Sequence, residues 1–311
     1  MSSIEPKPFA YVGIAPEPPK RTRYVPHHTI AHGSLTGRLR LELEVTSDYL
    51  FVGSGSYDFV SNIVYYSFAR SGGQITIQGT SIKGTVRSVL ETISNSCVSQ
   101  SRREEGEYVP QSHKGCDSIE RLCPACSMFG RTARDGSYAG RVSFSDALPA
   151  QLNGPEIVKI SELFSPRRFS SRRKFYQDKI ASATPDKRPE RNTRLIEALK
   201  RGSKLRLHVD FQNLAPEELS LLLYSLGVRQ NYSIKIGGAK PRGFGSASFR
   251  PIVMELWMAP FGDFERMEGA DLEKYLGDIM ERRELVRENL LRQYVEETGK
   301  GRGQTAPRGV Y

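Results

Sequence analysis

One short segment of metal-binding residue types constrains the fold of this chain most strongly. It contains three of the four cysteines and one of the five histidines. The residues follow the spacing H-x2-C-x6-C-x2-C and are His113, Cys116, Cys123 and Cys126. Thiolate and imidazole are preferred zinc ligands, and four of them form a closed tetrahedral site that leaves no position for water. The segment therefore predicts a structural zinc site, with Cys97 as an alternative fourth ligand. Buried, reduced cysteines without a metal are the other interpretation.

Composition and charge restrict the class of protein. The chain has 311 residues and a formal net charge of +10 at pH 7, and a positive excess favours polyanions through counterion release. The charge is uneven, because residues 160–206 are rich in arginine and lysine whereas residues 254–298 contain many acids. No apolar run approaches the ~20 residues that span a bilayer, and the first residues contain no apolar signal-peptide core. With cysteines clustered as in a metal site, these features predict a cytoplasmic protein that contacts nucleic acid and no membrane.

Apolar periodicity predicts a mixed α+β fold. Residues 34–45 alternate apolar and charged side chains, which is the pattern of a half-buried strand. Residues 79–93 place their apolar side chains on one helical face, and residues 216–226 begin with proline and acids, as helices do. Further strands are predicted over residues 62–69, 141–144, 204–211, 233–236 and 246–253. The alternation of strands and helices, without a cofactor-type βαβ repeat, indicates one α+β unit.

Composition also divides the chain into three parts. Residues 1–35 are rich in proline and charge and predict an extended N-terminal arm. The predicted core covers residues 36–255, and residues 256–311 predict a charged helical segment with a loose tail. Within the core we expect a zinc-bearing insertion at about residues 94–130 and a protruding basic insertion at about residues 150–200.

Two glycine-containing segments are candidates for binding an RNA backbone. In the loop of residues 237–245, glycines let backbone N–H groups approach a phosphate and basic side chains add charge. The candidates in this loop are Gly237, Gly238, Lys240, Arg242 and Gly243. At the start of the 79–93 helix, free N–H groups and the helix dipole favour an anion. The candidates there are Ser81, Lys83 and Arg87. A hairpin turn and a solvated helix face are the respective alternatives.

The basic insertion is a third candidate, because its arginines and lysines alternate with aromatic residues. Phosphate contacts combined with rings for base stacking suit single-stranded RNA. A run of charge is also typical of a solvated surface. The candidate residues are Arg167, Arg168, Arg172, Arg173 and Lys174.

Catalytic signatures are sparse in this sequence. It contains no Ser-His-Asp order, no HExxH motif and no paired-carboxylate motif. A glycine-serine loop is predicted at residues 52–58, after the first strand of the core, and Asp58 is the one acid in it. Asp58 is therefore the candidate catalytic residue.

Four motifs follow one another along the core. They are QITIQGTSIKGTVRSVLE (74–91), CPACSMFGR (123–131), RVSFSDA (141–147) and IGGAKPRGFGSASF (236–249). In this order they resemble the RAMP superfamily of CRISPR-associated proteins, and more narrowly the repeated backbone subunit of type III effector complexes. In that family a G-S-S-x-K-G-x-x-R helix precedes a Cys-Pro-x-Cys-x-x-Phe-Gly motif and a late glycine-rich loop. The resemblance covers about residues 36–250.

The resemblance implies an RRM-like, ferredoxin-type core with a zinc-bearing insertion and a protruding thumb, which corresponds to residues 157–195. Such subunits act in antiviral defence, stack along guide RNA, pair it with target single-stranded RNA and contact other effector subunits. Residues 79–87 and 237–245 would then hold guide phosphates.

In members that cut target RNA, an aspartate after the first strand supports metal-dependent cleavage. The resemblance gives that role to Asp58, with Mg²⁺ as a second cofactor. An alignment anchored on the motifs instead places Asn62 or Ile63 there, which implies a non-cutting subunit.

Two other functions are compatible with the sequence. The first is a stand-alone RAMP endoribonuclease that processes precursor guide RNA by histidine acid–base chemistry. Its candidate histidines are His27, His28, His32 and His208. The second is a zinc-ribbon-like interaction module without a role in RNA binding, which leaves the basic insertion and the glycine-rich loop unexplained.

Overall fold

The computed structural model describes residues 8–98, 109–163, 172–188, 190–257 and 263–308. Within these ranges the chain is a mixed α+β structure made mostly of strands, which confirms the predicted fold class. The α-helices are α1 (Gly79–Ile93), α2 (Pro124–Phe129), α3 (Pro216–Ser225), α4 (Gly269–Met280) and α5 (Glu288–Gly299). Short 3-10 helices cover Gln111–His113 and Lys240–Arg242.

The strands are short except for three that cross the centre of the molecule. In chain order they are β1 (Phe9–Val12), β2 (Thr22–Arg23), β3 (Leu35–Val45), β4 (Tyr49–Leu50), β5 (Gly53–Val60), β6 (Ile63–Phe68), β7 (Arg70–Ser71), β8 (Gln74–Ile75), β9 (Arg121–Leu122), β10 (Gly130–Ala133), β11 (Gly136–Ala139), β12 (Val142–Phe144), β13 (Leu148–Gln151), β14 (Glu156–Ser161), β15 (Arg173–Tyr176), β16 (Ala183–Thr184), β17 (Thr193–Lys200), β18 (Lys204–Leu214), β19 (Ile234–Lys235), β20 (Ser246–Trp257) and β21 (Phe264–Glu268).

The central sheet is antiparallel and has the order β12-β18-β3-β20-β19, with β13 beside β18 and β21 beside β20. Its middle strand, β3, follows the predicted alternation. Leu39, Leu41 and Leu43 are fully buried on one face, and each fully buried leucine contributes about 1.5–3 kcal/mol. The intervening charged residues pair across strands on the other face; for example, Arg38 Nε lies 2.6 Å from Asp210 Oδ1. The alternation therefore fixes the register, since a shift by one residue would bury the charges.

Helices α1 and α3 cover the apolar face of this sheet and pack against each other. The apolar stripe of α1 is buried as predicted, with Ile82 and Val86 completely inaccessible. The chain runs through the central unit as β3-α1-β12-β18-α3-β20. This order brings the N-terminal half of α1 and the loop between β19 and β20 to one side of the sheet, and a cavity lies between them.

A second sheet has the order β16-β14-β17-β6-β5, with β4 beside β17. Its strands β14 and β17 come from the predicted basic insertion, and their apolar side chains, such as Val158 and Ile196, are buried. These side chains form a small apolar cluster with Phe244 of the glycine-rich loop. The predicted glycine-serine loop is strand β5, which forms a hairpin with β6 through Ser61 and Asn62, both at positive φ.

The described parts of the N-terminal arm and of the C-terminal segment pack against the core. In the N-terminal arm, β1 pairs with β15 and β2 pairs with β9. The predicted C-terminal helical segment consists of β21 followed by α4 and α5. In the described part of the chain, no helix is long and apolar enough to cross a membrane.

Candidate metal centre and anion-binding cavity

Four cysteines lie together in the interior between α1 and α2. The sulfur atoms of Cys97, Cys116, Cys123 and Cys126 are all within 4.8 Å of one another, and all four thiols are free and buried. Cys97 Sγ lies 3.4 Å from Cys126 Sγ and 3.5 Å from Cys123 Sγ. Four thiolates around one zinc ion have Zn–S distances of about 2.3 Å and hence S–S separations of about 3.8 Å. The group is therefore the right size and chemistry to hold one metal ion.

His113 lies outside this group, and Cys97 takes the fourth position that the spacing gave to His113. The imidazole is nevertheless buried; its Nδ1 lies 3.0 Å from Ser112 Oγ, and its Nε2 has no hydrogen-bond partner among the described residues. Burial lowers the pKa of His113, and the nearby Arg173 lowers it further. Cys97 follows the end of α1 and lies outside the spaced motif, so the sequence indicated it only as an alternative fourth ligand.

Charge is unevenly shared among the four thiols. Hydrogen bonds from the neighbouring thiols, Cys123 first, lower the pKa of Cys116. Donation to Cys116 in turn raises the pKa of Cys97. A divalent ion bound among the four thiols would stabilise all of them as thiolates.

Two arginines that were predicted to bind RNA instead support this group. Arg87 donates to Glu91 at 2.9 Å, to the Gly130 carbonyl at 3.0 Å and to Cys126 Sγ at 3.5 Å. Arg173 donates to the second oxygen of Glu91 at 3.0 Å and to the Cys97 carbonyl at 3.3 Å. Both guanidinium groups are largely buried. Their positions indicate a structural role in holding α1 and β15 to the cysteines.

A cavity of about 370 Å³ lies where α1, β15 and the glycine-rich loop meet. It unites one residue from each of the three predicted RNA-binding groups, namely Ser81, Lys174 and Lys240. The remaining lining residues are Thr80, Gly84, Thr85, Ser88, Val89, Phe175, Tyr176, Lys235 and Tyr294. The described lining therefore contains three lysines, several hydroxyl groups and no acid.

Two of these three lysines are charged at a cost in free energy. Burial lowers the pKa of Lys240 to about 8, and the neighbouring charge of Lys235 adds to the effect. Burial also lowers the pKa of Lys235, although Asp178, 3.4 Å from its Nζ, opposes the shift. The side chain of Lys240, which is half-buried, forms no hydrogen bond or ion pair with another described residue. A cation removed from water without a counterion is stabilised by a bound anion.

Helix α1 lines the cavity with one of its faces rather than with its N-terminal amide groups. The amide of Gly79, at the first position of α1, donates to Asp146 Oδ1 at 2.8 Å. The cavity follows the small and hydroxyl-bearing residues on one face of α1. Lys83 does not line the cavity, and burial together with Arg87 lowers its pKa.

The glycine-rich loop packs against the protein's own backbone. A Cβ on Gly237, whose φ is +79°, would lie 2.0 Å from the Phe51 carbonyl, and the Gly238 amide donates to the same carbonyl at 2.7 Å. A Cβ on Gly243, whose φ is +85°, would lie 2.8 Å from the carbonyl oxygens of both Lys179 and Ile180. These glycines therefore allow close packing, which differs from the predicted phosphate cradle.

Arg242 in the same loop is also turned inward. Its side chain is fully buried and donates to the carbonyls of Ser161 at 3.2 Å, Glu162 at 2.9 Å and Pro307. It thus joins the loop to β14 and to the C-terminal tail. Of the loop's predicted residues, Lys240 alone lines the cavity.

Asp58 lies on the exposed β5–β6 hairpin. Its Oδ1 accepts a hydrogen bond from the Phe59 amide at 2.8 Å, and Tyr65 is its partner on β6. The same hairpin exposes aromatic rings, and Phe59 is 76% exposed. Within the described ranges, the four cysteines are the sole group of three or more potential metal ligands, so Asp58 is not part of a preformed acidic cluster.

The remaining predicted residues are more dispersed. Arg172 is exposed at the start of the β15 segment. Arg167 and Arg168 lie outside the described residues. His27 Nε2 lies 3.0 Å from the Ala139 carbonyl, and His208 Nε2 lies 3.5 Å from Asp210 Oδ2. None of these histidines lines the cavity described above.

Comparison with known families identifies the class of protein. A model of the RAMP superfamily matches residues 42–248, which is about two thirds of the chain. The chain therefore belongs to the RAMP superfamily, as the order of its motifs predicted. This membership indicates a CRISPR-associated RNA-binding protein. No curated protein matches the sequence.

Proposed function

We propose that this chain is a guide-RNA-binding backbone subunit of a type III CRISPR effector complex. The cavity in which Lys174, Lys235 and Lys240 meet the side of α1 carries this proposal. Phosphate is the anion that an RNA strand supplies repeatedly, and lysine binds it as a point charge. The hydroxyl groups of Ser81 and Thr85 add donors for phosphate or ribose oxygens.

The topology supports the same assignment. The order β12-β18-β3-β20, with α1 and α3 on one face, is that of a ferredoxin-type βαββαβ unit. We propose that this unit is the RRM-like core of the subunit. We also propose that the four-cysteine group holds a structural zinc ion, because four thiolates suit zinc and leave no open coordination position.

Binding is favoured over guide-RNA processing because of what lines the cavity. Acid–base cleavage of RNA without a metal needs a histidine or a comparable group near the scissile phosphate. The described lining contains lysines and hydroxyl groups but no histidine. This composition suits a site that holds a backbone without cutting it.

RNA titrations at several salt concentrations test the proposal. Lys240→Gln should weaken binding of a single-stranded guide RNA by roughly tenfold or more, as expected for a lost charged hydrogen bond. The slope of log affinity against log salt should also fall by about 0.7. Lys274→Gln, an equal charge change on the exposed face of α4, is the matched control. Equal affinities for the two variants would reject the cavity as an RNA site.

We further propose that Asp58 supports cleavage of target RNA. It is an exposed carboxylate on a projecting hairpin, and carboxylate oxygen is a ligand that Mg²⁺ accepts together with RNA phosphates. Asp58→Asn should abolish Mg²⁺-dependent cleavage by the assembled complex and leave guide binding unchanged. Asp271→Asn on α4 is the control. Cleavage that persists in Asp58→Asn would leave this chain as a non-cutting backbone subunit.

A further inference from the structure

The N-terminal arm crosses the four-cysteine group. Strand β2 pairs with β9 in the register Thr22↔Leu122 and Arg23↔Arg121, and Cys123 follows β9 directly. Arg121 also donates to the Arg21 carbonyl at 3.4 Å. The backbone of the arm is therefore joined to the segment that carries two of the four sulfur atoms.

The side chain of Arg21 makes a second connection. Its Nη2 donates to the carbonyls of Ser112 at 3.1 Å and Lys114 at 3.2 Å, immediately before Cys116. Its Nε is buried and has no hydrogen-bond partner among the described residues. Burial on its own would lower the pKa of Arg21, but the neighbouring Cys116 raises it. The two hydrogen bonds hold the guanidinium group against the backbone that leads into Cys116.

Arg21 and Arg87 approach the cysteines from different elements of the fold. Arg87 reaches Cys126 from α1, at 3.5 Å, whereas Arg21 belongs to the arm and binds the backbone carbonyls of Ser112 and Lys114, next to Cys116. Four thiolates around a divalent ion carry a net charge of −2, and a buried charge of that size needs nearby cations or hydrogen-bond donors. Residues that donate to metal ligands in this way commonly change metal affinity by 10–100-fold when they are replaced.

We propose that Arg21 is a positioning residue of the metal centre, and that metal binding fixes the N-terminal arm on the core. The inference rests on the proposed metal site and goes beyond the proposed RNA function. Because linkage is reciprocal, a metal that strengthens docking of the arm must itself bind more tightly when the arm is docked. The ordered arm extends beyond Arg21, since Tyr138 Oη donates to the Val25 carbonyl at 2.8 Å and Asn213 Nδ2 donates to the Thr29 carbonyl at 2.6 Å.

Hydrogen exchange of the full-length protein, with bound Zn²⁺ and after chelation, tests the coupling without any substitution. Amides of residues 20–34 should exchange faster after chelation, while those of α4, which lies apart from the cysteines in sequence, should change little. Equal protection of residues 20–34 in both states would overturn the inference. A protein that binds no metal would instead reject the underlying metal site.

Competition with a chromophoric chelator tests Arg21 itself. Arg21→Gln should bind Zn²⁺ about tenfold or more weakly, and Arg21→Lys, which keeps the charge, should lie between this variant and the wild type. Arg23→Gln is the control, because Arg23 is an exposed arginine two residues further along the arm, on β2. Wild-type affinity in Arg21→Gln would remove Arg21 from the metal centre and leave the four-cysteine site standing. Circular dichroism confirms that each variant is folded.

Discussion

At the scale of single residues, Lys240 shows a conflict between stability and binding. Its charge is useful to an anion in the cavity, but burial lowers its pKa to about 8. A folded-state pKa below the value of the unfolded chain means that the charged form is destabilising. A lysine at this position therefore favours a binding role over a packing role.

Replacing this lysine should separate the two effects. Lys240→Met keeps the length of the side chain and removes the charge, so we expect a higher free energy of unfolding at pH 7 and a lower affinity for RNA. Urea denaturation and RNA titration of the same variant measure the two quantities. A variant that is less stable than the wild type would show that the charge is satisfied within the protein.

The pH dependence follows from the direction of the shift. Below about pH 8 the folded and unfolded chains both hold the proton of Lys240, and the cost of the buried charge is fully present. Between about 8 and 10.5 the unfolded chain binds more protons, so the contribution of Lys240 to stability rises with pH. RNA affinity should change in the opposite direction. The difference in affinity between wild type and Lys240→Met should shrink from pH 7 to pH 9, and a constant difference would contradict the assignment.

At the scale of elements, the glycine-rich loop contributes close packing that allows Lys240 to line the cavity. Gly237→Ala should lower the free energy of unfolding by several kcal/mol, because a Cβ would overlap the Phe51 carbonyl and φ is positive. Gly72→Ala is a suitable control, since φ is also positive but no atom lies within 4 Å of the added Cβ. Thermal denaturation compares the two. Similar losses of stability in the two variants would mean that the positive φ, and not the contact with Phe51, makes glycine necessary at position 237.

Elements with strong periodicity were predictable, and side-chain directions were not. The alternation in β3 and the apolar stripe of α1 depend on local sequence, so both predictions are confirmed. Arg87, Arg173 and Arg242 belong to basic segments that predict RNA binding. Their side chains are buried, where they bind Glu91 or backbone carbonyls. Glu91 lies four residues from Arg87, whereas the other partners come from distant parts of the chain. The spacing likewise identified Cys116, Cys123 and Cys126 and left His113 and Cys97 as candidates for the fourth position, and the fold places Cys97 beside them.

At the scale of the whole molecule, the four-cysteine group joins α1, α2, β15 and the N-terminal arm. Cys97→Ser should reduce bound zinc and the temperature of unfolding, because the fourth thiolate is lost. His113→Gln should retain the metal, since His113 lies outside the group of sulfur atoms. Metal analysis and calorimetry of both variants check this. Loss of zinc in His113→Gln with retention in Cys97→Ser would restore the ligand set predicted from spacing.

The central claim is that the cavity between α1, β15 and the glycine-rich loop holds an RNA backbone. A structure of the protein bound to guide RNA tests it most directly. The account predicts a phosphate oxygen about 3 Å from Lys240 Nζ, with the strand continuing past Lys174 and Ser81. RNA bound on another face, with the cavity filled by water alone, would contradict it.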